Sequence, residues 1–325
     1  MPWFWRPSRL DPDRPLQIPE RDLDRLLASI GVMERMAWKQ AWLDRGIVQV
    51  GQKLWAPGTS ADWLWCLALP LLTLAEQRKG TDRCLIGLSA LPGCGKTTLG
   101  AWLEVAAEAI GLSFQVVSID DFYLSSPALD QSMAGNPWGV PRAIPGSHEL
   151  QLMATALDAW KSGQSVQFPC FDKALRDGRG DRSGWRSCDA SVLLLEGWFV
   201  GCEPLTEALA LDSGADHLEP SLQDGELRYR SAVQSALEAY QPIWSMLDHL
   251  WQIKAPNLNA PSLWKRQQNE SQQRLRGSGL PDDELRNFIR MVSSAIPSIS
   301  FELPRADVVF SADAQRNLSG LSLRT

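Results

Sequence analysis

No two cysteines in this chain stand as a C-x-x-C pair, and only three histidines occur among its 325 residues. The six cysteines, at 66, 84, 94, 170, 188 and 202, are scattered in a way that fits neither a structural zinc site nor a secreted disulfide framework. A reducing, cytoplasmic setting is the expectation. Basic residues are not in excess either: 32 Lys and Arg against 38 Asp and Glu leave a net charge of −6, which argues against a nucleic-acid partner. The apolar run Trp63–Ala75 is too short to cross a bilayer, so no membrane partner is expected. The opening residues Met1–Arg6 lack the basic-then-apolar order of a signal peptide. No internal repeat or long low-complexity tract is present.

What remains is ordinary globular content. With 44% hydrophobic and 22% charged residues, a chain of this length forms one large domain or two around a sizeable core. Many of the fifteen tryptophans fall on apolar faces and read as packing.

The most informative segment runs from Leu85 to Leu99 and reads as a buried strand, a tight loop and the start of a helix. The loop carries Pro92, Gly93, Cys94, Gly95, Lys96, Thr97 and Thr98. Small residues let backbone N–H groups face phosphate oxygens, and the helix N-terminus adds partial positive charge. A lysine at position 96 can reach β- and γ-phosphates, and the Thr97 hydroxyl can ligate Mg²⁺. These residues are therefore candidates to bind ATP. The pattern G-x-x-x-x-G-K-[ST] holds except at its first position, which is Ala90. Cys94 has two readings, an oxidation-sensitive thiol or simply a small residue.

Residues 1–80 read as an N-terminal helical extension, with helices over Asp22–Met36, Trp38–Val48 and Asp62–Gln77. From 81 to 325 strands and helices alternate. Apolar strands are expected at Cys84–Leu88, Phe114–Ile119, Ser191–Leu195, His249–Lys254 and Asp307–Phe310, with helices at Thr97–Ile110 and His148–Lys161. Strands without polar alternation, separated by helices, indicate an α/β fold whose parallel sheet is covered on both faces. Ser125–Ser147 reads as a long loop, 203–248 as a helical insertion with a mobile polar part at Gly214–Gly225, and about 261–290 as a helical lid.

Ligands of open parallel sheets gather at the carboxyl ends of the strands. Asp120 and Asp121 follow the second strand and Glu196 the third, so both ends deliver acids to the edge that carries Lys96. Asp120 is a candidate base for an attacking hydroxyl, and Thr97, Asp120 and Glu196, with Asp121 as an alternative, are candidates to hold Mg²⁺. A solvated turn for the Asp pair and a structural ion pair for Glu196 are the competing readings. Cations concentrate in two loops, at Arg142 and at Lys173, Arg176, Arg179 and Arg182, and suggest an anionic substrate. His148 either bonds a substrate hydroxyl or satisfies its own loop. A third basic stretch, from Lys265 and Arg266 to Arg274 and Arg276, reads either as a lid helix offering an arginine or as an exposed charged helix. By position, Asp313–Asn317, and Arg316 within it, is a candidate lining of the nucleotide pocket.

These residues resemble a known family, the plant-type D-glycerate 3-kinases, within the phosphate-loop kinases that include uridine kinase, pantothenate kinase and phosphoribulokinase. The wider likeness rests on Gly93–Thr98, on Ser118–Tyr123 and on Leu195–Gly197; the narrower one on Arg142–His148, on Phe171–Arg182, and on Arg266, Gln268 and Glu270 followed by Gly277–Glu284. Trp264-Lys265 reverses the family's usual order before the lid arginine, and Ala174 replaces a usual serine. The resemblance implies a three-layer P-loop kinase fold with a mostly parallel central sheet, and transfer of the γ-phosphoryl of ATP to the 3-hydroxyl of D-glycerate with Mg²⁺. It implies catalytic roles for Lys96, Asp120 and Arg266 and a Mg²⁺-linked role for Glu196. It makes Asp121, Tyr123, Arg142, His148, Asp172, Lys173, Asp181 and Arg182 candidates for the substrate. Uridine, pantothenate or ribulose 5-phosphate as acceptor, or a catalytically silent ATP-binding regulator, are the alternatives.

Overall fold

The computed structural model describes residues 10–78, 80, 82–211, 218–276 and 279–324. Helices α1 (Glu20–Ser29) and α2 (Arg35–Asp44) open this part of the chain. The single helix expected over Asp22–Met36 is instead broken between them. Gly31 adopts φ +77°, a left-handed conformation open to glycine, and Val32 N–H closes back on the Leu27 carbonyl. A π-helical turn, Trp63–Ala68, then runs into α3 (Leu69–Gln77), almost wholly buried. Pro70 has no N–H to give the Cys66 carbonyl, which favours the wider turn.

Five strands form the parallel part of the sheet: β1 (Cys84–Ala90), β2 (Phe114–Ser118), β5 (Val192–Gly197), β6 (His249–Lys254) and β7 (Val308–Ala312). A sixth, β8 (Leu318–Leu323), turns back antiparallel on β7, giving the order β2-β5-β1-β6-β7-β8. Strands β1 and β5 are buried at every residue, as their unbroken apolar runs require. Helices α4 (Lys96–Ala109) and α6 (Leu150–Lys161) connect the strands in the expected order. The helices before residue 80 share this core. Trp102 of α4 donates its indole N–H to the Val50 carbonyl at 2.9 Å, and Leu26, Leu27, Leu64 and Leu72 are wholly buried.

Two expectations need correction. The loop expected at Ser125–Ser147 contains a short helix, α5 (Ser126–Ser132), started by Pro127 in its first turn. The cationic loop expected at 168–182 is flanked by a hairpin, β3 (Val166–Asp172) and β4 (Asp181–Cys188), outside the main sheet; Lys173, Arg176 and Arg179 stay in the turn between the strands and Arg182 falls in β4. Pro169 is tolerated there because each strand has only one neighbour.

The helical insertion holds α7 (Glu207–Leu211) and α8 (Asp224–Trp244); of the stretch expected to be mobile, 214–217 lies outside the described residues. Helices α9 (Ala260–Arg276) and α10 (Asp282–Ser294) follow β6, and Asn269 bridges them by bonding both N–H and carbonyl of Leu280. The Met1–Arg6 segment, the side chain of Arg276, and Gly277 and Ser278 also lie outside the described residues. Among the described residues no helix is long and apolar enough to cross a membrane.

Candidate active site

The loop between β1 and α4 has the backbone its glycines predict. Gly93 and Gly95 take φ +81° and +125°, conformations that a side chain would strain. Ala90 in place of the motif's first glycine costs nothing, since it ends a regular strand and its φ is not positive. Lys96 Nζ donates to the Ala90 carbonyl at 2.6 Å and lies 4.0 Å from Glu196 Oε2. Cys94 is buried within the loop, which pushes its thiol up to about 11. That argues for its reading as a small packed residue rather than as a reactive one.

Glu196 lies in β5 with Leu88 of β1 on one side and Ser118 of β2 on the other. Burial raises its carboxyl pKa, Lys96 counteracts, and Asp120 adds to the rise. Past the end of β2 a 3₁₀ turn, Ile119–Phe122, is capped reciprocally by Ser118 and Asp121. This places the half-buried Asp120 at the cavity that opens there. Its Oδ2 accepts from Lys173 Nζ at 2.6 Å and its Oδ1 from the Tyr123 hydroxyl at 2.7 Å. Burial opposes ionisation of Asp120, but Lys173 and His148 outweigh it and hold the carboxyl well below the usual range. Burial lowers the pKa of His148, against the pull of Asp120.

A cavity of about 350 Å³ opens at this strand edge. Pro92, Gly93, Lys96, Thr97, Asp120, Tyr123, Arg142, Lys173 and Glu196 all line it, so residues from three strand ends and two loops meet as expected. Arg142 is anchored by Nη1, which donates to the carbonyls of Gly178 and Arg179 at 2.7 and 2.8 Å. Among the described residues no three His, Cys, Asp or Glu side chains cluster as a metal site. The hard oxygens of Thr97, Asp120 and Glu196 suit Mg²⁺ when the nucleotide's phosphates complete the shell.

Other expected residues are placed differently. Arg182 pairs with Glu149 at 2.5 Å and does not line the cavity. Asp172 and Asp181 accept from the nearby backbone N–H groups of Ala174 and Arg182. Asp121 accepts from the N–H groups of Ser118 and Phe171, which fixes the 3₁₀ turn against β3. His148 stands behind Tyr123 and Asp120, outside the lining. Arg266 is exposed away from the cavity, and its neighbour Lys265 lines it instead. Arg316 joins the phosphate loop to α9: it donates to the Gly93 carbonyl at 2.7 Å, the Trp264 carbonyl at 3.0 Å and Gln267 Oε1 at 2.8 Å.

Further lining residues come from α9 and α10 (Lys265, Gln268, Glu284, Asn287 and Phe288), and others, such as Gly139, Val140, Pro141 and Trp198, from elsewhere; none of these was among the candidate site residues. For those on α9 and α10 the available signals were their place in the expected lid, the basic stretch that holds Lys265, and the resemblance motif that holds Gln268 and Glu284. Lys265 Nζ sits 4.9 Å from the Phe288 ring centroid and 3.2 Å from Gln268 Oε1. Burial, reinforced by Lys173, pushes it down to about 8, with Asp120 pulling the other way.

Sheet order, phosphate loop and strand-end acids together define the three-layer P-loop kinase fold. The relatives agree. The chain is 29% identical over 257 residues to the chloroplastic D-glycerate 3-kinase of Arabidopsis thaliana, covering 74% of this chain and 53% of that one. It therefore spans about half the length of that relative. An uncharacterized kinase of Schizosaccharomyces pombe, mug58, is also 29% identical, over 228 residues, covering 66% of this chain and 81% of that one. The solved D-glycerate 3-kinase from Cryptococcus neoformans shares the fold with a TM-score of 0.65 and 23% identity, over 78% of this chain and 96% of that one. No family model matches the chain.

Proposed function

We propose that this chain is an ATP-dependent kinase that phosphorylates D-glycerate on its 3-hydroxyl, giving 3-phosphoglycerate. The observation that carries the reading is Asp120, held ionised by Lys173 at 2.6 Å in the same cavity as Lys96 and Glu196. The likeness to D-glycerate 3-kinases supports the choice of acceptor.

In this reading the loop N–H groups and the N-terminus of α4 cradle the phosphates, and Lys96 leaves the Ala90 carbonyl for the β- and γ-oxygens. Thr97, Asp120 and Glu196 would hold Mg²⁺, which supplies positive charge to the phosphate oxygens. Arg142 and Lys173 receive the carboxylate of glycerate. Asp120 orients the acceptor hydroxyl and accepts its proton. So strongly ionised a carboxylate is a weak base, which suits phosphoryl transfer, where positioning and charge stabilisation dominate. Helices α9 and α10 form the wall that closes over the site and excludes water.

An ATP-consumption screen tests the proposal. D-glycerate, L-glycerate, glycerol, uridine, pantothenate and ribulose 5-phosphate are offered as acceptors. D-glycerate is expected to be consumed with formation of 3-phosphoglycerate; turnover confined to another acceptor overturns the assignment, and tight ATP binding without turnover favours a silent regulator.

A further inference from the structure

His148 is enclosed on all sides. Its ring stacks on Tyr123 at 4.6 Å between centroids, 26° between planes, and meets Phe199 and Tyr240 edge-on. Nδ1 lies 2.7 Å from the hydroxyl of Tyr240, a residue of α8. Nε2 is buried with no hydrogen-bond partner, 4.0 Å from Asp120 Oδ1.

The directions of these bonds can be deduced. The Gly146 N–H donates to the Tyr240 oxygen at 3.1 Å, so the hydroxyl's own hydrogen is available to Nδ1. Ser147 Oγ, 3.4 Å from Nδ1, directs its hydrogen to the Ile144 carbonyl at 2.6 Å and leaves Tyr240 as the donor. An imidazole that accepts at Nδ1 and is neutral carries its proton on Nε2. The opposite tautomer would leave the Tyr240 hydrogen without an acceptor and turn a lone pair toward the carboxylate. Both ends of the ring therefore select the same form.

We propose that Tyr240 fixes His148 as the Nε2–H tautomer, and that His148 thereby serves as a positioning residue that holds the Asp120 carboxylate for the acceptor hydroxyl. Tyr123 holds Oδ1 from one side at 2.7 Å and Lys173 holds Oδ2 at 2.6 Å. The Nε2 edge of His148 faces Oδ1 from behind at 4.0 Å, a charge–dipole contact longer than a hydrogen bond, and does not line the cavity. The helical insertion thus reaches the reaction through one hydroxyl group. The catalytic half of this inference rests on Asp120 being the base; the tautomer does not.

The whole chain labelled with ¹⁵N-histidine provides the first test, because it has only three histidines to resolve. Long-range ¹H–¹⁵N spectra, assigned with His148→Gln, are expected to show the neutral Nε2–H pattern for His148. Tyr240→Phe keeps the ring but removes the donor, and is expected to shift His148 toward the Nδ1–H form. An Nδ1–H ring in the native chain, or an unchanged pattern in Tyr240→Phe, overturns the proposal. In the second test, His148→Phe should lower kcat about 10- to 100-fold, the usual loss when an outer partner of a reacting group is removed. KM for ATP should stay unchanged while Tm falls, because the buried Tyr240 hydroxyl loses its acceptor, and His148→Gln, which restores an N–H, should recover part of the rate. A loss confined to KM or Tm rejects the positioning role. Absence of turnover on any acceptor would defeat the proposed function and leave the spectra to decide the tautomer.

Discussion

Trp264 of α9 lies across Gly93 of the phosphate loop so closely that a Cβ built on the glycine would sit 2.8 Å from the Trp264 Cβ. The indole N–H of Trp264 is tied in turn to the Ala314 carbonyl at 2.8 Å, beyond β7. Loop, helix and turn are thus tied together, and the phosphate site is shaped by residues distant in sequence.

Gly93→Ala should therefore fail twice. The left-handed φ of +81° penalises a side chain by about 1–2 kcal/mol, and the added methyl presses on backbone-proximal atoms of Trp264 that cannot swing away. Thermal melting should show the lost stability, and calorimetric titration should show weaker ATP binding. A variant that melts and binds normally would mean the loop is free of α9 in solution.

Lys96→Ala removes the one loop side chain that can follow charge onto the γ-phosphoryl group. Turnover should fall by at least ~10²–10³, the loss typical of a deleted transition-state donor. Near-normal kcat would discard the assignment.

Asp120→Asn keeps an acceptor for Tyr123 but cannot take a proton, and leaves Lys173 without its carboxylate. Transfer should cease while ATP affinity persists. An active Asn variant would show that another group orients the hydroxyl.

Arg142→Lys loses both the planar fork and the anchorage to the Gly178 and Arg179 carbonyls. One charge-assisted contact is worth about 1.5–3 kcal/mol, so KM for glycerate should rise roughly 10- to 100-fold, with KM for ATP unchanged. Glycerol, which has no carboxylate, should be a poor acceptor for the native chain.

Lys265 predicts a pH dependence. Burial first, then Lys173, Lys96 and Arg142, disfavour its charge, while Asp120 favours it, and the balance lies at about 8. Below that pH it is a cation and above it neutral, so affinity for an anionic ligand should fall as pH rises through 8. Lys265→Arg stays charged and should carry high affinity to more alkaline pH. The same depressed pKa means the unfolded chain holds the proton longer, so this group's contribution to stability rises with pH from 8 toward the ordinary lysine value near ~10.4. Binding isotherms from pH 7 to 9 check the first sign, and melting curves the second.

The strand-end chemistry was legible because buried parallel strands are written as unbroken apolar runs. Leu85–Leu88 and Val192–Leu195 announce β1 and β5, and the acids and lysine that follow them must emerge at one edge. The hairpin was not legible. Pro169, Gly184 and a string of charges hide a period of two when a strand has one neighbour and half its residues face water. The break after α1 was hidden in another way: Gly31 sits inside an otherwise helical pattern, and only its left-handed backbone ends the helix. At the site, Arg182 and Arg266 carry the right chemistry at the right place in sequence, yet Glu149 claims one and the helical phase of α9 turns the other outward. Lys265, one residue earlier, shows how finely that phase decides which cation reaches the ligand. Tyr240 left no local signal at all, since its meaning lies in a contact made 92 residues from His148.

The cysteines have a practical consequence. Five of them, Cys94 included, are buried, and Cys170 in the hairpin beside the cavity is the one that solvent partly reaches. A thiol-directed dye added to the folded chain would attach there first, giving a native reporter for hairpin movement as ligands arrive, with no engineered handle.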